Sequence, residues 1–64
     1  MKIYYCVTSA VDDRGHMTAA VTESLEAQKR PENSFTSTRR KDIYKDWFDS
    51  RAAAEEFARK ARSA

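Results

Sequence analysis

The sequence is poor in the residues that usually brace a small protein. It contains one cysteine, Cys6, so no disulfide can form within the chain. With His16 as the only histidine, it also lacks the sulfur and imidazole ligands of an ordinary structural zinc site. The chain has 64 residues, and a domain of about 60 residues buries only about 60% of the surface that its unfolded chain exposes. We therefore expect a thin core, for which self-association is the remaining common support.

Long apolar runs are also missing. The longest, Ile3–Val7, ends at Thr8 and Ser9 and is too short for the core of a signal peptide or for a membrane span. Hydrophobic residues make up 41% of the chain and aromatic residues 11%, a composition typical of a folded protein and not of a disordered one. We expect a single domain over residues 1–64 that is cytoplasmic and contacts no membrane.

An excess of one charge is absent too. Twelve basic and ten acidic residues give a formal net charge of +2, so the field of the whole molecule attracts nucleic acid only weakly. Any basic binding site must therefore be local.

The first half of the chain predicts a β-hairpin. Odd positions in the segment Lys2–Val11 are apolar except at Ser9, while Lys2, Thr8 and Ala10 fall between them, which is the period of a half-buried strand. The segment Asp12–Gly15 contains the only glycine and favours a type I turn with Gly15 in the left-handed region. The register that follows places these residues opposite one another: Val11 with Met17, Ser9 with Ala19, Val7 with Val21, Tyr5 with Glu23, Ile3 with Leu25, Lys2 with Glu26, Cys6 with Thr22, and Tyr4 with Ser24.

In this register Glu23 is the one charged residue on the apolar face. We interpret it as lying at the end of the strand, at the margin of whatever covers that face. The alternative, a buried acid with a raised pKa, has only Tyr5 to support it.

The second half predicts a long connection, a third strand and a helix. Residues 28–41 lose the alternation and contain the only proline. The third strand spans about 41–48, with either Ile43 and Trp47 or Tyr44 and Phe48 facing the core. Asp49 or Ser50 caps the alanine-rich helix, whose apolar stripe has helical spacing and consists of Ala54, Phe57, Ala58 and Ala61.

These patterns predict an α+β fold, with a three-stranded antiparallel sheet and one C-terminal helix packed on one face. Residues 46–57 combine an aromatic residue, a Ser cap and Ala-x-x-Phe, and this run resembles the strand-to-helix junction of short bacterial and phage domains with three strands and one helix. It is also similar to the junction in the small nucleic-acid-binding domain that precedes some ribonucleases H, whose glycine-rich basic strand is missing here. The resemblance assigns no function and no binding residue.

The sequence does not predict an enzyme. Cys6 and His16 fall on the order of 20 Å apart in the hairpin, too far for a nucleophile and its base. Asp12 and Asp13 have the ordinary explanation that aspartate favours turns, and one glycine cannot form a phosphate-binding loop. We expect no catalytic residue, cofactor, metal or small-molecule substrate.

One helix can cover one face of the sheet, so the opposite face is expected to be open. That face is either an ordinary wetted sheet or, together with the sheet edge, a surface that binds a protein partner or a second copy. The residues predicted to bind the partner are Tyr4, Cys6, Thr22, Tyr44 and Trp47.

The alternative hypothesis is a nucleic-acid-binding module. In it, basic side chains bind phosphates while Tyr4 or Tyr44 stacks on bases. Asp42 and Asp46 lie in the same segment and weaken this hypothesis. The basic residues are Arg39, Arg40, Lys41 and Lys45, helped by Lys29 and Arg30.

Overall fold

The computed structural model describes the backbone of residues 1–63 and the side chains through Arg62. The sheet is antiparallel with strand order β2-β1-β4-β3, and one helix follows it. This confirms the α+β class with one C-terminal helix, but the sheet has four strands, so the prediction of three was wrong. The elements are β1 (Lys2–Asp12), β2 (Met17–Ala27), β3 (Ser34–Ser37), β4 (Lys41–Phe48) and α1 (Arg51–Ser63).

The turn between β1 and β2 has the predicted conformation. Gly15 has φ of 81°, and its N–H donates to the carbonyl oxygen of Asp12 at 3.1 Å. The Asp12 carboxylate accepts the amides of Arg14 at 2.9 Å and His16 at 2.8 Å. The hydrogen bond from the His16 amide, followed by that from Arg14, lowers the pKa of Asp12 from its ordinary value.

The register of β1 and β2 shifts at a β-bulge between Cys6 and Val7. Val7 faces Val21 while Cys6 faces Glu23, so Thr22 is an extra residue. A bulge places two residues opposite one and moves every later residue to the other face. The predicted pairs on the turn side are confirmed: Val11 with Met17, Ser9 with Ala19, and Val7 with Val21. Beyond the bulge they were wrong by one residue, since the observed pairs are Cys6 with Glu23, Tyr5 with Ser24, Tyr4 with Leu25, Ile3 with Glu26, and Lys2 with Ala27.

The bulge also explains Glu23. Its carboxylate lies on the face away from the helix, where Oε2 is 3.3 Å from the Nζ atom of Lys45. The interpretation of Glu23 as a misfit on the helix-side face was therefore wrong. An extra residue in the strand places the charge where it has a partner.

The connection predicted over residues 28–41 contains β3, which was missed. Phe35 in this strand pairs with Tyr44 in β4. The strand consists of Ser, Thr and one aromatic residue, and it is too short for an alternation of apolar and polar residues to be detected. Before β3, the Oδ1 atom of Asn33 accepts the N–H of Trp47 at 2.9 Å. Asn33 thereby satisfies one more donor of β4 beyond the strand pair.

The helix begins at Arg51 and is capped by Ser50, whose Oγ accepts the N–H of Ala53 at 3.1 Å. It lies mainly over β2 and β1, touches β4 less and, over its described residues, does not reach β3. The core between helix and sheet consists of Val7, Ala19, Ala54 and Ala58. Phe57 lies at the margin of this core, 38% exposed, with its ring centroid 5.1 Å from that of Phe48. One half of the helix-side face is therefore covered and the other is not.

Candidate functional site

The structure separates Tyr44 from the other residues predicted to bind a partner. Trp47 pairs with Cys6, on the face away from the helix, whereas Tyr44 pairs with Ser9, which belongs to the helix side. This settles the open alternative in favour of Tyr44 and Phe48 on the helix side. Tyr44 therefore cannot act on one surface with Trp47.

Tyr4 and Cys6 do lie on the face away from the helix, but the prediction that they are exposed was wrong. Tyr4 is 7% exposed and Cys6 is fully buried. Both belong to a central strand, and their cross-strand neighbours Leu25, Glu23 and Trp47 are larger than Cys6. Cys6 lies between larger neighbours and Tyr4 has little exposed surface, so this face offers a partner less accessible area than the sequence suggested.

The Cys6 thiol is poorly suited to chemistry. Burial raises its pKa, and the negative charge of Glu23 raises it further. A thiolate is the reactive form, so the buried and protonated thiol serves as a small apolar side chain.

Thr22 is exposed, and its hydroxyl oxygen lies 2.7 Å from that of Thr8. Trp47 is half-buried. Of the predicted partner-binding residues on this face, Thr22 is exposed and Trp47 partly so.

A different group of residues makes the more prominent apolar surface. Phe35 in β3 is 56% exposed and Tyr44 beside it in β4 is 39% exposed. Their ring centroids are 4.9 Å apart, within the range of favourable aromatic pairs. We call these two rings, together with the backbone of β3, the aromatic edge. It occupies the half of the helix-side face that α1 leaves uncovered.

The two edges of the sheet differ in protection. On β2, Arg62 of the helix donates from Nη1 to the carbonyl oxygen of Ala19 at 2.9 Å, and the strand carries a bulge, Glu23 and Glu26. On β3, the four residues Ser34–Ser37 include neither a charge nor a proline. Bulges, charges and covering elements keep sheet edges from pairing with other chains, and within β3 itself none of these is present.

The predicted basic cluster is divided by the structure. Arg39 and Arg40 are exposed at the tip of the turn between β3 and β4. The Oγ1 atom of Thr38 accepts the amides of Arg40 at 3.4 Å and Lys41 at 3.2 Å, and it donates to the Lys41 carbonyl at 3.0 Å. Thr38 therefore holds the turn that presents the two arginines.

The remaining basic residues lie elsewhere. Lys45 pairs with Glu23 across β1, while Lys29 and Arg30 follow the end of β2 that is far from the turn. The structure therefore does not bring all six basic residues together. The turn between β3 and β4 also has acidic neighbours, because it shares a shallow cleft with Asp12, Asp13 and Asp42.

Sequence reasoning missed Phe35 because the residue stood inside a presumed loop. The available signal was the run from Ser34 to Thr38, in which aromatic and hydroxyl-bearing residues stand between Asn33 and the arginines. Such a run is compatible with a short strand.

No known protein family, curated protein or solved structure matches this chain. The resemblance at residues 46–57 therefore stays an expectation. Over residues 1–63 there is no helix of the length and apolar character that a membrane crossing requires. In the same part of the chain no three His, Cys, Asp or Glu residues are placed to hold a metal ion together.

Proposed function

We propose that this domain is a protein-interaction module that binds through the aromatic edge. The observation that carries the proposal is the exposure of Phe35, 56%, on a strand whose own edge is unprotected. Aromatic side chains are enriched among the residues that dominate binding energy. A strand edge adds main-chain hydrogen bonds to a partner, while neighbouring side chains provide specificity.

The uncovered half-face suits a contact surface better than the opposite face does. Phe35 and Tyr44 lie side by side and are both accessible, whereas Tyr4 and Cys6 are already enclosed. A partner that covers the aromatic edge removes apolar area from water, and about 25 cal/mol is gained for each Å² of it. Enclosed side chains offer no such gain.

Site-specific photocrosslinking in cells tests the proposal. The photoreactive residue p-benzoylphenylalanine replaces Phe35 in one variant and Leu25 in a matched control. Leu25 is comparably exposed, at 47%, and lies on the other edge strand. We expect a discrete protein adduct from position 35 and none from position 25. Equal labelling from both positions, or no adduct from position 35, contradicts the proposal.

Nucleic-acid binding by the turn between β3 and β4 is a second candidate. The observation that favours it is the set of hydrogen bonds through which Thr38 orders the backbone of the two exposed arginines. An ordered turn loses less conformational entropy when it binds phosphates.

Filter binding with single-stranded and duplex DNA and RNA tests this candidate. Phosphate contacts make affinity fall steeply with salt, and we expect the double variant Arg39→Ala/Arg40→Ala to reduce both the affinity and the salt dependence. The matched control, Lys29→Ala/Arg30→Ala, removes the same charge from the far end of the sheet. Binding that is insensitive to salt, or equally weakened by both double variants, contradicts a role for the turn.

A further inference from the structure

We propose that the partner of the aromatic edge is a second copy of this chain, whose β3 pairs antiparallel with β3 across a twofold axis. The inference rests on the proposed function and names the occupant of the same surface. It would join two four-stranded sheets into one sheet of eight strands.

The asymmetry of the two edges selects β3 for this pairing. Arg62 occupies the carbonyl of Ala19 at the β2 edge, and α1 lies over β2 and β1. The helix therefore lies near the edge of the sheet that is opposite to β3. Two copies can bring their β3 strands together without a collision between their helices.

Twofold symmetry restricts the register. When two identical antiparallel strands form one continuous sheet, a residue on the axis faces its own copy, since directly opposite side chains share a face. Placing Phe35 on the axis puts Ser34 opposite Thr36, so no charged residues meet within the paired strands. Because Tyr44 packs against Phe35 at 4.9 Å, the two copies would form a cluster of four aromatic rings.

The flanks of β3 carry complementary charges. The nearest charged residue before the strand is Glu32, and the nearest after it is Arg39. Antiparallel pairing brings the start of one β3 towards the end of the other, so opposite charges approach at both ends of the contact.

The thin core gives the association a physical reason. Among the described residues the buried hydrophobic side chains are few and include three alanines, while three aromatic rings remain more than a third exposed: Phe35, Tyr44 and Phe57. A four-residue strand pair buries less than the roughly 800 Å² per partner of a standard interface. We therefore expect a weak dimer whose population rises with concentration.

A charge-swap experiment at Phe35 tests the inference through sedimentation equilibrium. Phe35→Glu and Phe35→Lys each place like charges opposite one another on the axis, so we expect each variant to dissociate at least about tenfold more readily than the wild type. An equimolar mixture of the two pairs Glu with Lys and should recover the dimer. The matched variants Leu25→Glu and Leu25→Lys should leave the association unchanged.

A milder variant guards against loss of folding. Phe35→Cys should oxidise to a disulfide-linked dimer when a mild oxidant is added, because antiparallel neighbours are close enough for a disulfide. Leu25→Cys should not, and the buried Cys6 should not take part. Circular dichroism verifies that each variant is folded.

A wild-type chain that stays at 7.4 kDa at all accessible concentrations overturns the inference. So does a dimer that the mixture of Glu and Lys variants fails to restore. These results are separate from the crosslinking result. An adduct between position 35 and a different protein, with a monomeric wild type, overturns only the second-copy inference and leaves the interaction module supported.

Discussion

The β2 and β3 edges belong to one sheet but differ in how they are protected from pairing with another strand. The β2 edge is long, bulged at Thr22, and fixed by the hydrogen bond from Arg62 to Ala19. The β3 edge has four uncharged residues and an exposed phenylalanine. With a single helix, a chain of this size can cover one half of one face. The difference shows that a small domain can protect one edge of its sheet and leave the other unprotected.

The same contrast holds for the residues between the edges. Val7, on the central strand β1, has no exposed surface and packs against the alanines of α1. Phe35 is much larger but more than half exposed. Size alone therefore does not tell which side chain stabilises the fold.

Thiol accessibility should show the largest difference between centre and edge. In a Thr36→Cys variant, we expect the edge thiol to react with a disulfide reagent at least about a hundredfold faster than Cys6, which must wait for the strand to open. The raised pKa of Cys6 keeps its thiol protonated at neutral pH. The time course of reagent absorbance measures both rates, and a single fast phase for two thiols would contradict the burial of Cys6.

Stability should depend on the covered half and only slightly on the uncovered half. We expect Val7→Ala to lower the free energy of unfolding by about 2 kcal/mol, because it removes buried methyl groups and leaves a cavity. Phe35→Ala should lower it by about 1 kcal/mol or less, since only the ring pair with Tyr44 is lost.

Urea unfolding at low protein concentration measures the free energy of unfolding of the Val7→Ala and Phe35→Ala variants. A larger loss for Phe35→Ala than for Val7→Ala would mean that the aromatic edge is part of the core.

The hydrogen bond that protects the β2 edge should make a modest contribution to the free energy of unfolding. We expect Arg62→Ala to lower the free energy of unfolding by about 1 kcal/mol, since a charged donor to a backbone carbonyl is lost. Arg59→Ala removes the same charge from the same helix, and we expect a change within about 0.5 kcal/mol, as for an ordinary surface substitution. Equal effects of the two variants would show that Arg62 acts only through its charge.

The two turns should differ in their response to acid. Asp12 anchors the β1–β2 turn with a carboxylate, whereas Thr38 anchors the β3–β4 turn with a hydroxyl that does not titrate in this range. Because the folded pKa of Asp12 is lowered, its contribution is present above the unfolded pKa and is lost as the pH falls through the folded pKa.

We expect this acid effect to be the smallest of the four, since Asp12 is at the surface. NMR titration of the amides of Arg14 and His16 should report a pKa below that of an unfolded aspartate, while the amides of Arg40 and Lys41, which donate to a hydroxyl, should shift less. A midpoint at or above the ordinary value would contradict the role of the carboxylate.

The parts of the fold that were predictable from sequence are those with strong local signals. Gly15 and Asp12 defined the first turn, and the three residue pairs next to it were placed correctly. The span of β4 also followed from residue type and spacing, as did a helix cap at Asp49 or Ser50, which the structure assigns to Ser50. Each of these signals extends over a few neighbouring residues.

The remainder depended on contacts that no local pattern encodes. Thr22 looks like any other strand residue, and the bulge there serves to bring Glu23 to Lys45, which is 22 positions away in the chain. Strand β3 is too short to show a period, and its partner β4 stabilises it. Phe35 was missed for the same reason, since only the pairing of β3 with β4 places it beside Tyr44.

Amide hydrogen exchange at several protein concentrations tests the difference between the two edges most directly. We expect the outward-facing amides of Ser34–Ser37 to exchange rapidly in dilute solution and to become protected as the concentration rises, while the amides of β2 keep the same rates throughout. Protection that appears at β2 instead, or exchange at β3 that does not depend on concentration, would contradict the account.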